Sequence, residues 1–336
     1  MRKIDIFTHI SPPGFSEGVA RVAGGLKDIG KRSRGVPMLH DLDIRFKVMD
    51  SFQEYQQVLS VPTPPIELFA TPAEAVDLAR IANDSMANLV QKHPDRFVTF
   101  AAALPMNAPD AALAETQRAV TQLGAKAIQI HSNILGKPLT SPEFLSIFEA
   151  MAGYDLPILL HPYRGADFTD YLSEQSSEFE IWWTFGWPYD TSAAMARMVF
   201  AGFFDKWPSL KIVAHHMGAM VPYFAGRVGP GWDQLGKRTS DRDLSRVLKA
   251  LKKRPLDYFK MFYADTALFG AYEATVCGLD FYGVDNVVFA SDAPFDPENG
   301  PMYIRETTSI IDRLPLTNEQ REQIYWRNAA KLLKVN

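Results

Sequence analysis

The chain has 336 residues, a formal net charge of −4 and 47% hydrophobic residues, a composition typical of a soluble globular protein. The small net charge gives no reason to expect nucleic-acid or anionic-membrane binding, and the single cysteine, Cys277, excludes a disulfide framework and a thiolate zinc site. The sequence shows no N-terminal signal and no apolar run long enough to cross a membrane, so we expect a cytoplasmic protein.

Along the chain, short apolar runs alternate with longer amphipathic segments. Eight of these runs are predicted strands: Ile4–Ile6, Gln56–Val61, Phe97–Ala103, Ala125–Ile130, Leu156–Leu160, Leu210–Ala214, Tyr258–Ala264 and Asn286–Ala290. The clearest helix begins at the capping box Thr71–Glu74 and is expected to extend to about His93. Other predicted helices include Asp41–Ser51, Asp110–Leu123, Glu143–Gly153, Thr191–Phe204 and Ala267–Leu279.

This alternation of buried strands and helices predicts a (β/α)8 barrel. A doubly wound sheet is the alternative, although no G-x-G-x-x-G follows the first strand. The whole chain, 1–336, is predicted to be one barrel domain with an insertion or lid near residues 10–40 and another near 163–190. The second of these is rich in aromatic and acidic residues.

Four predicted strand ends carry histidine or aspartate. The first strand leads to His9, the fifth to His161, the sixth to the pair His215 and His216, and the eighth to Asp292. Strands of a barrel end on the same face, so we expect these side chains to converge. Neutral imidazole and carboxylate are the ligands that Zn²⁺ and similar ions prefer. The sequence therefore predicts a metal or acid–base site at this face.

With these residues, the chain resembles the amidohydrolase-2 family, which includes aminocarboxymuconate semialdehyde, γ-resorcylate and 5-carboxyvanillate decarboxylases. The resemblance covers nearly the whole chain. Its motifs are Ile4-Asp5 through His9, the segment LPILLHP at 156–162, the approach FDKWPSLK at 204–211, FASDAP at 289–294, and Asn328-Ala329-Ala330.

The resemblance implies a (β/α)8 barrel with one divalent metal ion, Zn²⁺ foremost and Mn²⁺ as the alternative, held by His9, His161 and Asp292. The first strand of the family usually carries His-x-His or Glu-x-His, because side chains two positions apart on a strand point the same way. Here Phe7 stands at the first of these positions and cannot coordinate a metal. Three protein ligands suffice for a catalytic site, and one strand-six histidine could be a fourth.

The resemblance also implies that a strand-six histidine is the acid–base residue, acting with Asp292. Alignment on His-Met-Gly-x-x-x-Pro-Tyr selects His216, whereas alignment on Ala-His after the strand selects His215. Neighbouring side chains on a strand point to opposite faces, so we expect only one of the two rings, with a slight preference for His216, to face the barrel axis.

The resemblance favours non-oxidative decarboxylation of a small aromatic or muconate-type acid by a homodimer. Arg45 or Arg164 could hold the substrate carboxylate, and the aromatic stretch 182–189, including Trp183, would line the pocket. The same site could instead hydrolyse a lactone or an amide through a metal-bound water. A third hypothesis is a metal-free barrel that binds an organic acid, which only Phe7 favours.

Overall fold

A computed structural model describes residues 1–238 and 241–336, and within them eight parallel strands form one sheet in chain order. The strands are β1 (Lys3–His9), β2 (Tyr55–Ser60), β3 (Phe97–Ala102), β4 (Ala127–His131), β5 (Pro157–His161), β6 (Lys211–Ala214), β7 (Tyr263–Asp265) and β8 (Val287–Val288). Thr8 bridges Ala293 in parallel, and the His9 amide donates to the Ala293 carbonyl at 2.8 Å. These contacts join the two ends of the sheet into a nearly closed barrel, and the predicted (β/α)8 fold is confirmed.

Helices connect the strands and cover the outside of the barrel. The longer ones are Phe15–Ala23, Leu42–Met49, Pro72–Lys92, Pro109–Thr121, Leu145–Tyr154, Gly186–Phe200, Tyr272–Tyr282 and Pro301–Arg313. Shorter ones are Ile29–Arg34, Ile181–Thr184, Phe203–Lys206, Ser245–Ala250, Pro255–Phe259, Asn318–Glu322 and Asn328–Leu333. The predicted capping box at Thr71 and Glu74 is present, and its helix extends to Lys92.

The barrel interior is filled by small and branched apolar side chains that point inward from the strands. Ile4, Val58, Leu159 and Val288 belong to this buried cluster, together with leucines of the last helix, Asn328–Leu333. Because this packing fills the lower barrel, the interior offers room for a ligand at the carboxyl ends of the strands. No helix in residues 1–238 or 241–336 is long and apolar enough to cross a membrane.

The seventh strand differs from its prediction. The segment Tyr258–Ala264 is predicted as a strand, but Pro255–Phe259 is a helix with proline at its start, and the strand comprises Tyr263–Asp265. By periodicity alone, the aromatic segment 258–263 is compatible with a helix or a strand, and Pro255 favours the start of a helix. The shift places Asp265, rather than Ala264, at the end of the strand.

Two predicted helices each start five residues away from the prediction. The helix predicted at Thr191–Phe204 begins at Gly186 and ends at Phe200, so it includes the end of the aromatic connection near 163–190. The helix predicted at Ala267–Leu279 begins at Tyr272 instead, because residues 266–271 form a turn.

Candidate active site

Three histidines and one aspartate converge at the carboxyl ends of the strands. His9, His161, His215 and Asp292 are all buried, and one potential ligand atom from each lies within 4.8 Å of the others. Asp292 is central, since its Oδ1 lies 3.0 Å from His9 Nε2 and 3.3 Å from His215 Nε2. The structure therefore brings together the three predicted metal ligands and adds His215 as a fourth.

In His9, His161 and His215, the ring nitrogen Nδ1 already has a hydrogen-bond acceptor within the protein. Carbonyl and carboxylate oxygens only accept, so each Nδ1 carries a proton, and each Nε2 is left to bind a second proton or a metal ion. The Nδ1 partners are Val61 O for His9 (3.1 Å), Pro162 O for His161 (2.7 Å) and Asp265 Oδ2 for His215 (2.7 Å).

This donor set fits a divalent cation. Nε2 of His9 and Oδ1 of Asp292 are both acceptors, so their close approach is repulsive unless a proton or a cation lies between them. Nε2 of His215 is buried and has no hydrogen-bond partner within the described part of the chain. Three imidazole nitrogens and one carboxylate oxygen are ligands that suit Zn²⁺ and related ions.

Phe7 forms one wall of this cluster. It is fully buried, and its ring stacks on that of His215 with 3.8 Å between centroids and an interplanar angle of 17°. Its ring centroid also lies 6.1 Å from that of His161. Phe7 thus occupies space beside the cluster without offering a ligand atom.

The charges of the cluster are strongly coupled. Burial disfavours the charged form of His215, but the carboxylates of Asp265 and Asp292 outweigh burial and raise the pKa of His215 to about 9. Burial would raise the pKa of Asp292, yet the surrounding histidines hold it well below its ordinary value. Burial, together with the charge on His215, lowers the pKa of His161. Without a metal ion, a proton on His215 therefore supplies the positive charge that Asp292 needs.

Both strand-six histidines face the cluster, contrary to the expectation that only one would. Strand β6 ends at Ala214, and His216 adopts a left-handed backbone conformation with φ 57° and ψ 54°. The strand alternation therefore no longer applies, and the two imidazole rings stack with centroids 3.8 Å apart. His216 Nε2 lies 3.7 Å from Asp292 Oδ2.

His216 is the member of the pair that reaches open space. Its side chain is 11% exposed, whereas that of His215 is completely buried. Burial and the charge on His215 lower the pKa of His216. The accessible ring is therefore a candidate acid–base group, and the inaccessible ring a candidate metal ligand.

A cavity of about 820 Å³ opens above the cluster. His161, His216 and Asp292 lie among its lining residues, and the two long connections after β1 and β5 supply much of its wall. The aromatic lining consists of Trp182, Trp183, Trp187, Phe269, Phe295 and Tyr303. Aromatic side chains and charged or polar groups line the same cavity, a combination that suits a small planar ligand with polar substituents.

The structure places Arg45 away from this cavity, although it is predicted to hold a substrate carboxylate. Its side chain is fully buried, and its guanidinium donates to Gln57 Oε1 at 2.6 Å, to Met38 O at 3.2 Å and to the carbonyl of His9. Because the side chain is fully buried and both Nη atoms donate to protein oxygens, Arg45 braces the end of β1 rather than contacting a substrate.

Arg164 also lies outside the cavity lining, whereas Trp183 belongs to it. Arg164 Nη1 lies 3.4 Å from Asp190 Oδ1, and its guanidinium sits 4.9 Å from the ring centroid of Phe168. This pairing directs the charge of Arg164 toward Asp190.

Two candidate functional residues were missed by sequence reasoning. Asp265 directly follows the predicted seventh strand, so the same pattern that drew attention to Asp292 could have identified it. Arg32 lines the cavity, and its guanidinium donates to the carbonyl of Phe295. It lies in a polar, glycine-containing segment where no periodic pattern distinguishes one arginine from its neighbours.

Comparison with known proteins agrees with this geometry. The amidohydrolase family model matches residues 4–335. A 2-amino-3-carboxymuconate-6-semialdehyde decarboxylase from Dictyostelium discoideum is 29% identical over 308 residues, covering 87% of this chain and 82% of that protein. A γ-resorcylate decarboxylase from Polaromonas sp. JS666 is 29% identical over 303 residues, covering 88% of this chain and 87% of that protein.

A solved structure supports the metal-binding interpretation. It is a dihydroxybenzoic acid decarboxylase from Polaromonas sp. JS666 with bound manganese and the inhibitor 2-nitroresorcinol. That protein is 25% identical, with a TM-score of 0.79 over 99% of this chain and 97% of its own. The cluster of His9, His161, His215 and Asp292 is thus a divalent metal site in a fold shared with metal-binding decarboxylases. The chain is an enzyme and belongs to the amidohydrolase family.

Proposed function

We propose that this enzyme is a metal-dependent, non-oxidative decarboxylase of a small hydroxylated aromatic or muconate-type carboxylic acid. The observation that carries the proposal is the position of His216, which lines the cavity beside Asp292 and directly above a buried metal-type cluster. The decarboxylases among its relatives support this reaction over hydrolysis.

We propose Zn²⁺ as the resident ion, held by His9, His161, His215 and Asp292, with Mn²⁺ as the alternative. Three imidazole ligands favour zinc over ions that prefer oxygen, whereas the manganese of the related structure supports testing both. When bound, such a cation supplies positive charge that stabilises the anionic oxygens of the substrate.

Arg32 is the side chain that we propose for the substrate carboxylate. A guanidinium has five N–H donors, so its contact with the Phe295 carbonyl leaves others for a carboxylate in the cavity. The aromatic faces of Trp183 and Trp187 would flank the planar substrate and exclude water from it.

His216 would deliver the proton. We propose that its imidazolium protonates the carbon that bears the carboxylate, after which the carbon–carbon bond breaks, CO₂ leaves and the bonding electrons return to the ring or diene. The lowered pKa of His216 makes its protonated form a stronger acid toward carbon, although a smaller fraction is protonated at neutral pH.

The test is CO₂ release by Zn²⁺- or Mn²⁺-loaded protein from 2,6-dihydroxybenzoate, 5-carboxyvanillate and the aminocarboxymuconate semialdehyde. In D₂O, deuterium should replace the carboxylate on the same carbon, as observed by NMR. His216→Asn should lower kcat by about 10²–10⁴-fold and leave the metal content unchanged. Release of acid from lactones or amides, without CO₂ from any tested acid, would establish the hydrolase instead.

Three further proposals concern the whole molecule. We propose that the protein is a homodimer, as the family resemblance implies, and that it is cytoplasmic. We also propose that the connections near 10–40 and 163–190 act as covers over the site of one barrel domain. Light scattering after size-exclusion chromatography tests the dimer, since a mass near 38 rather than 75 kDa would contradict it. (The larger mass is twice the 37.7 kDa of the chain.)

A further inference from the structure

The ring of Phe7 lies where strand alternation would direct a ligand toward the cluster. Phe7 and His9 are two positions apart on β1, and both rings face the cluster: the Phe7 ring stacks on that of His215 with centroids 3.8 Å apart, and His9 Nε2 lies 3.0 Å from Asp292 Oδ1. The centroid distance of 6.3 Å between the two rings agrees with this direction. Position 7 therefore faces the cluster but carries no atom that can bind a metal.

His215 occupies the space next to this missing ligand. Its imidazole is enclosed between two rings, with centroid distances of 3.8 Å to Phe7 on one side and 3.8 Å to His216 on the other. A polar side chain at position 7 could not enter the cluster while His215 fills this space. An apolar, flat ring at position 7 and a histidine at position 215 are thus a compatible pair.

Asp265 fixes the remaining freedom of the His215 ring. Its Oδ2 accepts from His215 Nδ1 at 2.7 Å, and its Oδ1 accepts from the backbone amides of His216 at 3.1 Å and Ala267 at 3.0 Å. Asp265 is fully buried, so these protein groups hold both carboxylate oxygens. The proton is thereby kept on Nδ1, and Nε2 is aimed at Asp292, 3.3 Å away.

We infer that the metal ligand missing at Phe7 is replaced by His215, which directly follows strand β6, and that Asp265 is the positioning residue that makes His215 a ligand. This inference rests on the proposed function only in requiring a divalent cation at the cluster. A carboxylate that orients a histidine ligand typically changes metal affinity by about 10- to 100-fold.

The first experiment replaces Asp265 by asparagine. The two backbone amides that point at Oδ1 require an oxygen there, so the new NH₂ group must face Nδ1 of His215. The imidazole then has to accept at Nδ1 and carry its proton on Nε2, the tautomer that cannot bind a metal. We expect Asp265→Asn to bind Zn²⁺ about 10- to 100-fold more weakly, as measured on metal-stripped protein against a chromophoric chelator.

A matched control separates this effect from loss of a buried carboxylate in general. Glu115, on the outer helix Pro109–Thr121, is also buried and hydrogen bonded, so Glu115→Gln should retain wild-type Zn²⁺ affinity. Wild-type affinity in a folded Asp265→Asn variant would overturn the positioning role.

The second experiment tests the exchange of ligands and does not depend on the folding of Asp265→Asn. His215→Ala should lose at least tenfold in Zn²⁺ affinity, and the double variant Phe7→His/His215→Ala should recover part of this loss, because a histidine on β1 can enter the vacated space. The control Phe7→Leu/His215→Ala opens space without adding a ligand. If both double variants bind Zn²⁺ equally, the exchange is refuted.

These affinities are independent of turnover. If the enzyme decarboxylates a tested acid but substitutions at positions 215 and 265 leave its Zn²⁺ affinity unchanged, the inference is refuted and the proposed function stands. If these substitutions weaken Zn²⁺ binding as expected but the protein releases CO₂ from none of the tested acids, the inference stands and the proposed function is refuted.

Discussion

Glu67 offers a test of how burial controls ionisation next to the barrel mouth. It lies in the short 3-10 helix Ile66–Leu68 after β2, and its Oε1 has no hydrogen-bond partner among the residues described. Burial raises the pKa of this carboxyl to about 7. Glutamine has nearly the same shape but no charge, so the perturbation is Glu67→Gln.

The sign and size of the change in stability follow from the pKa of Glu67 in the unfolded chain and in the folded chain. A carboxyl whose pKa is higher in the folded chain than in the unfolded chain contributes stability that is complete below the unfolded value and is lost as the pH rises through the folded value. The interval from 4.5 to about 7, at about 1.4 kcal/mol per pH unit, amounts to about 3 kcal/mol. We therefore expect the stability of Glu67→Gln relative to the wild type to increase by about 3 kcal/mol between pH 4 and pH 8.

The assay is guanidinium-induced unfolding of metal-stripped wild type and variant at one-unit steps of pH and constant ionic strength. Metal is removed because its binding is itself pH-dependent. Glu74→Gln is the control, since hydrogen bonds from Thr71 lower the pKa of the exposed Glu74 and its pH dependence should have the opposite sign. A stability difference between Glu67→Gln and wild type that does not change with pH would refute the reasoning.

Three other predictions concern the cavity and its support. Arg32→Ala should raise KM for a carboxylate substrate by about 10- to 100-fold, because a charge-assisted hydrogen bond contributes about 1.5–3 kcal/mol, and an unchanged KM in initial-rate measurements would contradict the proposed contact. Arg45→Met should lower the free energy of unfolding by about 3–5 kcal/mol, because buried oxygens at Gln57, Met38 and His9 lose their donor; denaturant titration showing less than about 1 kcal/mol would exclude the bracing role. Asp292→Asn should abolish stoichiometric metal binding, because the central anionic ligand is lost, and elemental analysis that finds one bound ion would disprove this assignment.

The fold and the centre of the site follow from local sequence patterns. Apolar runs that end in His9, His161 and Asp292 predicted strand ends, and parallel strands bring such ends together. Once the barrel fold was predicted, no further information was needed to predict that these three residues lie close together. The metal centre could therefore be predicted from the secondary structure and the residue types at the strand ends.

The remaining features depend on contacts that no pattern within one segment reveals. Whether His215 and His216 share a face is decided by the left-handed backbone at His216, which alternation along a strand does not predict. Arg45 has the sequence context of an exposed helical arginine, yet it is buried because carbonyls from two other segments surround it. Asp265 is the exception, because it directly follows the predicted seventh strand and the pattern that identified Asp292 applies to it as well.

The closure of the barrel constrains when the metal can be acquired. His9 and Asp292 are 283 positions apart, and both belong to one cluster. At ribosomal rates of about 5–20 residues per second, roughly 15–60 s separate their synthesis. A nascent or prematurely terminated chain can present His9, His161 and His215 but not the carboxylate they surround. Stable loading with metal therefore has to follow completion of the eighth strand, and metal retention distinguishes finished chains from interrupted ones.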